Sequence, residues 1–312
     1  VRIYGRALDW LDQSIAVGRE MDEDYLVAYS IAWKARIKCE QGYWQEAIEL
    51  AGSVASGGTR SARIVPVTAL GTIGRVRVRR GEPGGVLPLT QAIDLGRHGT
   101  LQHVWAPVSA LSEWHWLQGE NKRALEVLRE FSERVFETDS AWGKGEVAFW
   151  MWMAGGLEEI PAGAAGPFAL MISGDWTRAA QEWEEVGCPY EQALALSFGD
   201  TDARLSALEI FDRLGARPAG KWLRRILRVR GITSIPTGPR RSTKDHPAGL
   251  TSRQAEVMGL LQLGLSNAEI ATRLFISVKT AEHHVSAVLS KLGVASRSEV
   301  AAMRGTLDSE AD

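Results

Sequence analysis

The chain has 312 residues, 45% hydrophobic and 24% charged, a balance that excludes a wholly disordered polypeptide and implies packed cores. That length suits about two domains. The formal net charge of −2 excludes a globally polycationic protein, so any nucleic-acid footprint has to be local. Cys39 and Cys188 lie far apart and belong to no CxxC or Cys/His cluster, and are expected as buried free thiols of a reducing cytoplasm. No charged segment precedes an apolar run at the N-terminus, and the most apolar stretch, VAFWMWMAGG at 147–156, is too short to span a bilayer. A soluble cytoplasmic protein with no membrane partner is expected.

In chain order, helical spacing dominates the first 230 residues, with few alternating β-branched runs and no Asn-Gly or Asp-Gly turns. One short phrase recurs: GYWQEA from Gly42, GENKRA from Gly119 and GDWTRA from Gly174, with a weaker GEPGGV from Gly81 and a shortened GDTDA from Gly199. The glycine closes one helix in the left-handed conformation. The alanine sits on the next helix, where a small side chain permits close approach. Apolar residues before the glycine (Ile31, Trp33, Ile37; Leu111, Trp114, Leu117) suit a first helix, and those after it (Ile48, Leu50; Leu125, Leu128, Phe131) a second. A period in the high thirties is that of a helix-pair repeat. GGLEEIPAGAAG at 155–166 reads as an insertion that lengthens one interval. This pattern resembles a degenerate tetratricopeptide-like solenoid, which implies a concave surface for a protein or small-molecule effector. The twelve tryptophans are expected mainly as filling between helices.

No catalytic constellation appears. There is no GxxxxGK[ST] phosphate loop, and GKGE at 143–146 lacks its spacing and hydroxyl. His98, His103 and His115 fit neither an i,i+4 pair nor a zinc pattern and are expected at turns or in packed helices. Neither enzyme activity nor a cofactor or metal is expected in this chain.

The helix KWLRRILRVRG at 221–231 is basic and amphipathic, with Trp222, Leu223, Ile226 and Leu227 inward and Arg224, Arg225, Arg228 and Arg230 outward. Between 217 and 247 stand nine basic residues and one acid. This face is either the solvated side of a capping helix or a sequence-blind phosphate contact. Residues 231–249, with Pro236, Pro239 and Pro247, are expected to form an exposed linker between a domain at 1–230 and one at 250–304, with 305–312 as a tail.

From Leu250 on, helix punctuation is clear. Thr251/Gln254, Ser266/Glu269 and Ser296/Glu299 each form a capping-box pattern, and Ser277 caps without the box. Gly264 and Gly293 stand where helices stop. Four helices are predicted, near 252–263, 267–274, 278–292 and 297–304. The second and third, joined by the short FIS turn at 275–277, form a helix-turn-helix. Val278, Ala281, Val285, Val288, Leu289 and Leu292 are expected inward, with Lys279, Glu282, His283, Ser286 and Ser290 on the opposite face. Such a face suits the major groove of DNA. Glu282 matches a cytosine amino group, Lys279 and His283 match guanine or phosphate, and Ser286 pairs with several bases. Ser266, Asn267 and Ser277 stand at helix N-termini that present N–H groups to phosphates, and Thr280 and Lys291 add backbone contacts. The neighbours His283 and His284 point about 100° apart on a helix and are not expected to chelate one ion.

LTSRQAEVMGLLQLGLSNAEIATRLFISVKTAEHHVSAVLSKLGVASRSEVAA, 250–302, resembles the DNA-binding domain of the LuxR family. Gln254 stands where the family usually has Glu, and Ala281 where it usually has Val. The resemblance implies an all-α chain, a tetratricopeptide-like solenoid followed by a four-helix LuxR-type domain. It implies that the third helix reads double-stranded DNA and that the last, bearing Val300, Ala301 and Met303, mediates a homodimer on DNA. RNA polymerase is a further partner in keeping with a bacterial transcriptional regulator. A helical-repeat region ahead of such a domain also resembles the C-terminal part of the large ATP-binding LuxR-family regulators. The alternatives are therefore a piece of an ATP-dependent switch, or a protein-interaction scaffold without a DNA role.

Overall fold

The computed structural model describes residues 4–56, 64–97, 99, 101–232, 235, 250, 252–274, 276–292, 294 and 296–302. Among these residues there are 17 helices and no strand. The chain divides into two compact units, Val1–Pro236 and Thr237–Asp312. Most of the expected linker, with its three prolines, lies outside the described residues.

The first unit holds thirteen described helices: α1 Tyr4–Glu20, α2 Asp24–Glu40, α3 Trp44–Ala55, α4 Ile64–Arg80, α5 Val86–Gly96, α6 Leu101–Leu117, α7 Asn121–Phe136, α8 Ala141–Met153, α9 Gly166–Ser173, α10 Trp176–Val186, α11 Pro189–Leu196, α12 Thr201–Leu214 and α13 Arg217–Val229. Neighbours in sequence pack on one another, and α2 packs on α4, α4 on α6 and α6 on α8. That order is compatible with stacked helix pairs.

The recurrent phrase has the geometry its residues imply. Gly42, Gly81, Gly119 and Gly174 have φ of 85°, 66°, 81° and 88°. After each, the next N–H reaches back five residues: Tyr43 to Lys38 at 2.9 Å, Glu82 to Arg77 at 2.8 Å, Glu120 to His115 at 2.9 Å, Asp175 to Leu170 at 2.9 Å. These bonds satisfy carbonyls that a helix end otherwise strands. Ala47, Ala124 and Ala179, five residues on, are fully buried. The shortened copy departs from this. Gly199 is not left-handed, and its need for glycine is steric, since a Cβ would stand 2.6 Å from Ala203 Cβ. Further stops of the same kind were not expected; those at Gly187 and Gly215 each precede a helix with Pro in its first turn. The Gly-then-Pro spacing is the signal that marks them. The long interval before Gly174 holds the extra helix α8 as well as the 155–166 insertion.

The inner row of helices is not left bare. α13 packs against α4 and α6, and α11 reaches the same row through side chains. Arg79 of α4 bonds Glu113 of α6 at 3.2 Å and Glu191 of α11 at 2.9 Å, and Tyr190 donates to Glu113 at 2.5 Å. Arg75 pairs with Glu146 of α8 and donates to the Ala106 carbonyl at 2.7 Å. The surface expected to be a concave binding face is therefore partly filled by the unit's own later helices.

Cys39 and Cys188 are both buried, and burial pushes the Cys39 thiol up to about 11. Among the described residues, no cluster of His, Cys, Asp and Glu is suited to a metal ion, and no helix is long and apolar enough to cross a membrane. His115 bonds Glu120 at 2.8 Å, His103 is buried, and His98 lies outside the described residues.

Candidate nucleic-acid interface

The second unit contains α14 Ser252–Gln262, α15 Asn267–Leu274, α16 Val278–Leu292 and α17 Arg297–Ala302. Gly264 closes α14 with φ 79°, and the Leu265 N–H returns to the Leu260 carbonyl at 3.2 Å. α16 packs on α14 and α15, and α17 on α14. The core consists of Leu250, Val257, Leu260, Leu261, Ile270, Ala271, Ala281, Val285, Val288 and Val300. Ala281, Val285 and Val288 come from one stripe of α16, which turns the opposite stripe to solvent.

That opposite stripe is the candidate interface. Lys279, Thr280, Glu282, His283, Ser286 and Ser290 are all exposed, and the side chains of Lys279, Glu282, His283 and Ser286 have no hydrogen bond or ion pair to another described residue. Val278 departs from expectation. It is 47% exposed and borders Lys279 instead of joining the core, because at the first position of the helix the core stripe has not yet begun. It places an apolar group at the tip of the polar face.

The two helix N-termini differ. At α15 the capping box closes: the Ser266 N–H and hydroxyl donate to Glu269 at 2.8 and 2.6 Å, and the Glu269 N–H returns to Ser266 Oγ at 3.4 Å. The Ser266 hydroxyl and N–H hold the Glu269 carboxyl below its usual range. A carboxylate thus already occupies the N-terminus expected to meet phosphate. At α16 the cap is neutral: Ser277 Oγ accepts from the Thr280 N–H at 3.1 Å and shares a 2.7 Å bond with Thr280 Oγ1. The positive end of α16 therefore keeps its attraction for an outside anion.

Other expected contacts have partners within the unit. Lys291 Nζ donates to Gln254 Oε1 at 2.9 Å. Asn267 Oδ1 accepts from Arg297 at 3.0 Å, and the same guanidinium reaches the Leu265 carbonyl at 3.3 Å. Arg253 ties α14 to the Leu274 carbonyl at the end of α15 and bonds Glu256 at 2.6 Å. Arg253 and Arg297 fix the supporting helix, and no local spacing announces either of them. Val300, expected at a dimer face, is fully buried in the unit's own core. Arg297, Ser298 and Glu299 of α17 are exposed. Ser296 Oγ bonds Glu299 at 2.8 Å, completing that cap. The side chain of Ala301, and Met303, Thr251, Phe275 and Gly293, lie outside the described residues.

Residues 248–304 match the GerE family, described as bacterial regulatory proteins, luxR family. Over 58 residues the chain is 41% identical to the DNA-binding transcriptional activator DevR/DosR of Mycobacterium tuberculosis, covering 19% of this chain and 27% of that protein. It is 36% identical over 100 residues to the transcriptional regulatory protein LiaR of Bacillus subtilis, covering 32% of this chain and 42% of that protein. It is 41% identical over 59 residues to the oxygen regulatory protein NreC of Staphylococcus aureus, covering 19% and 27%. The chain thus spans less than half the length of these curated relatives. No solved structure matches it significantly.

Proposed function

We propose that this chain, which carries a luxR-family helix-turn-helix domain over residues 248–304, is a transcriptional regulator that binds promoter DNA through α16. The observation that carries the reading is the unpaired polar stripe of Lys279, Glu282, His283 and Ser286 on a helix whose other face is locked in the core. A helix of this kind enters the major groove with its N-terminal turns against base edges. Glu282 accepts from a cytosine amino group, Lys279 and His283 donate to guanine or phosphate, and Ser286 adapts to several bases. The Val278 side chain meets a thymine methyl, and the N-terminus of α16 holds a phosphate. Thr280 adds a backbone contact beside that terminus.

The protein acts as a homodimer on DNA, through the exposed side of α17 and the residues after it. The helical-repeat unit receives a protein or small-molecule effector and passes the signal on, with RNA polymerase as the downstream partner. Bound effector would meet a face that α11 and α13 already partly fill. The site of action is the cytoplasm, and neither a cofactor nor catalysis is part of the mechanism.

Affinity for duplex DNA measured across a salt series tests the reading. Phosphate contacts make log K fall linearly with log salt. Lys279→Ala with His283→Ala should lower the preference for a selected site over random duplex at unchanged fold. Salt-independent or absent DNA binding would remove the proposed function and favour a protein-docking role for the same face.

A further inference from the structure

The exposed side of α13 carries a second charge pattern that the helix-turn-helix does not account for. Arg217, Lys221, Arg225 and Arg228 follow one another at spacings of four, four and three residues. These steps keep all four on one stripe of a 3.6-residue helix, over about 16 Å of axis. All four are exposed, and no acid occurs anywhere on α13. Lys221, Arg225, Arg228 and the neighbouring Arg230 make no ion pair among the described residues. Arg224 is different: it is half-buried and held by Asp212 at 2.5 Å. Arg230 adds to the crowding, because the buried Arg204 has its pKa lowered by burial and then by the Arg230 charge.

An uncompensated row of cations is unusual in a chain with 36 basic and 38 acidic residues. The apolar face of α13 is closed off, with Leu223 and Leu227 fully buried, so the helix has no free apolar side to lay into a lipid surface. The sequence that follows adds Arg240, Arg241 and Lys244 ahead of Leu250. Nineteen residues separate Arg230 from Leu250. A backbone of that length reaches at most about 70 Å, so duplex flanking a bound site is within covalent range.

We propose that this stripe is a second, sequence-blind contact to the DNA phosphate backbone, used together with α16. The proposal rests on the DNA-binding reading of the second unit. Charge at a fixed spacing on a rigid helix neutralises phosphates without reading bases, so it adds affinity and leaves the site preference unchanged.

The test uses the full chain and a K221Q/R225Q/R228Q variant, each titrated with a duplex bearing a selected site and with a random duplex across a salt series. Three lost phosphate contacts should reduce the slope of log K against log salt by about 2.7, equally for both duplexes. The ratio between the duplexes should stay constant. A variant with the wild-type slope would overturn the inference and leave the helix-turn-helix reading standing. A loss confined to the selected site would also overturn it. If the wild type itself shows no salt-dependent affinity for either duplex, the DNA reading fails and this inference with it.

Discussion

The Arg79 guanidinium lies 3.7 Å from the centre of the Tyr190 ring, so that a cation on α4 is capped by an aromatic ring on α11. Both side chains are buried, and both engage Glu113. Burial opposes the charge of Arg79, and the carboxylates of Glu113 and Glu191 outweigh it and raise its pKa well above the usual value. Burial also pushes the Glu191 carboxyl up, against the pull of Arg79. The cluster joins α4, α6 and α11, so it locks the later helices onto the inner row of the earlier ones.

Removing the cation should therefore cost more than removing a surface pair. Arg79→Met leaves Glu113 and Glu191 buried without the cation that bonds them both, and should destabilise the first unit by about 3–5 kcal/mol. Adding Glu191→Gln to that variant should recover part of the loss. Urea unfolding of the three proteins checks this, and an Arg79→Met cost under about 1 kcal/mol, as at an exposed pair, would contradict it.

The repeat glycines should separate two costs. At Gly174, with φ 88°, a Cβ meets nothing within 4 Å, so Gly174→Ala carries only the left-handed penalty, about 1–2 kcal/mol. At Gly42, with φ 85°, a Cβ would stand 2.7 Å from Leu214 Cδ2 and 3.0 Å from Pro189 Cγ. Gly42→Ala should be clearly the more destabilising, because it also displaces the start of α11. Equal shifts in melting temperature would show that the close approach to α11 and α12 carries no weight.

His103 should give the first unit a pH-dependent stability. Burial, and then the Arg36 charge, lower its pKa from 6.5 to about 4. Its Nδ1 lies 3.3 Å from Thr68 Oγ1 and its Nε2 3.1 Å from the Gln102 amide nitrogen, contacts that suit a neutral ring. The unfolded chain binds the proton between those two values and the folded chain does not. The stabilisation is thus full above pH 6.5 and lost as pH falls toward 4. By pH 5 the loss is about 2 kcal/mol. The stability gap between the wild type and His103→Gln should narrow by that amount from pH 7 to pH 5. Parallel curves would contradict the assignment.

Local chemistry made part of this molecule legible. The left-handed glycines at 42, 81, 119 and 174, the buried alanines behind three of them, and the Ser266 and Ser296 caps all act within one turn of their own residue, so their spacing alone places them. The four C-terminal helices follow for the same reason. What escaped depends on distance. Arg79 with Glu113 and Glu191, and Arg217 with the Arg80 carbonyl at 2.7 Å, join segments far apart in sequence. The burial of Val300 and the exposure of Val278 depend on how helices cross, which periodicity within one helix does not reveal. At the candidate site the exposed stripe of α16 was readable, whereas the roles of Arg253 and Arg297 in holding α15 appear only once the helices are packed.

Selection of bound duplexes from a random pool by the full chain tests the central claim most directly. The account predicts enrichment of a common sequence, with Glu282→Ala and His283→Ala each relaxing the preference at one position by about 1–3 kcal/mol. A pool that emerges unenriched, or an enriched sequence that neither substitution alters, would contradict the assignment of α16 as the element that reads DNA.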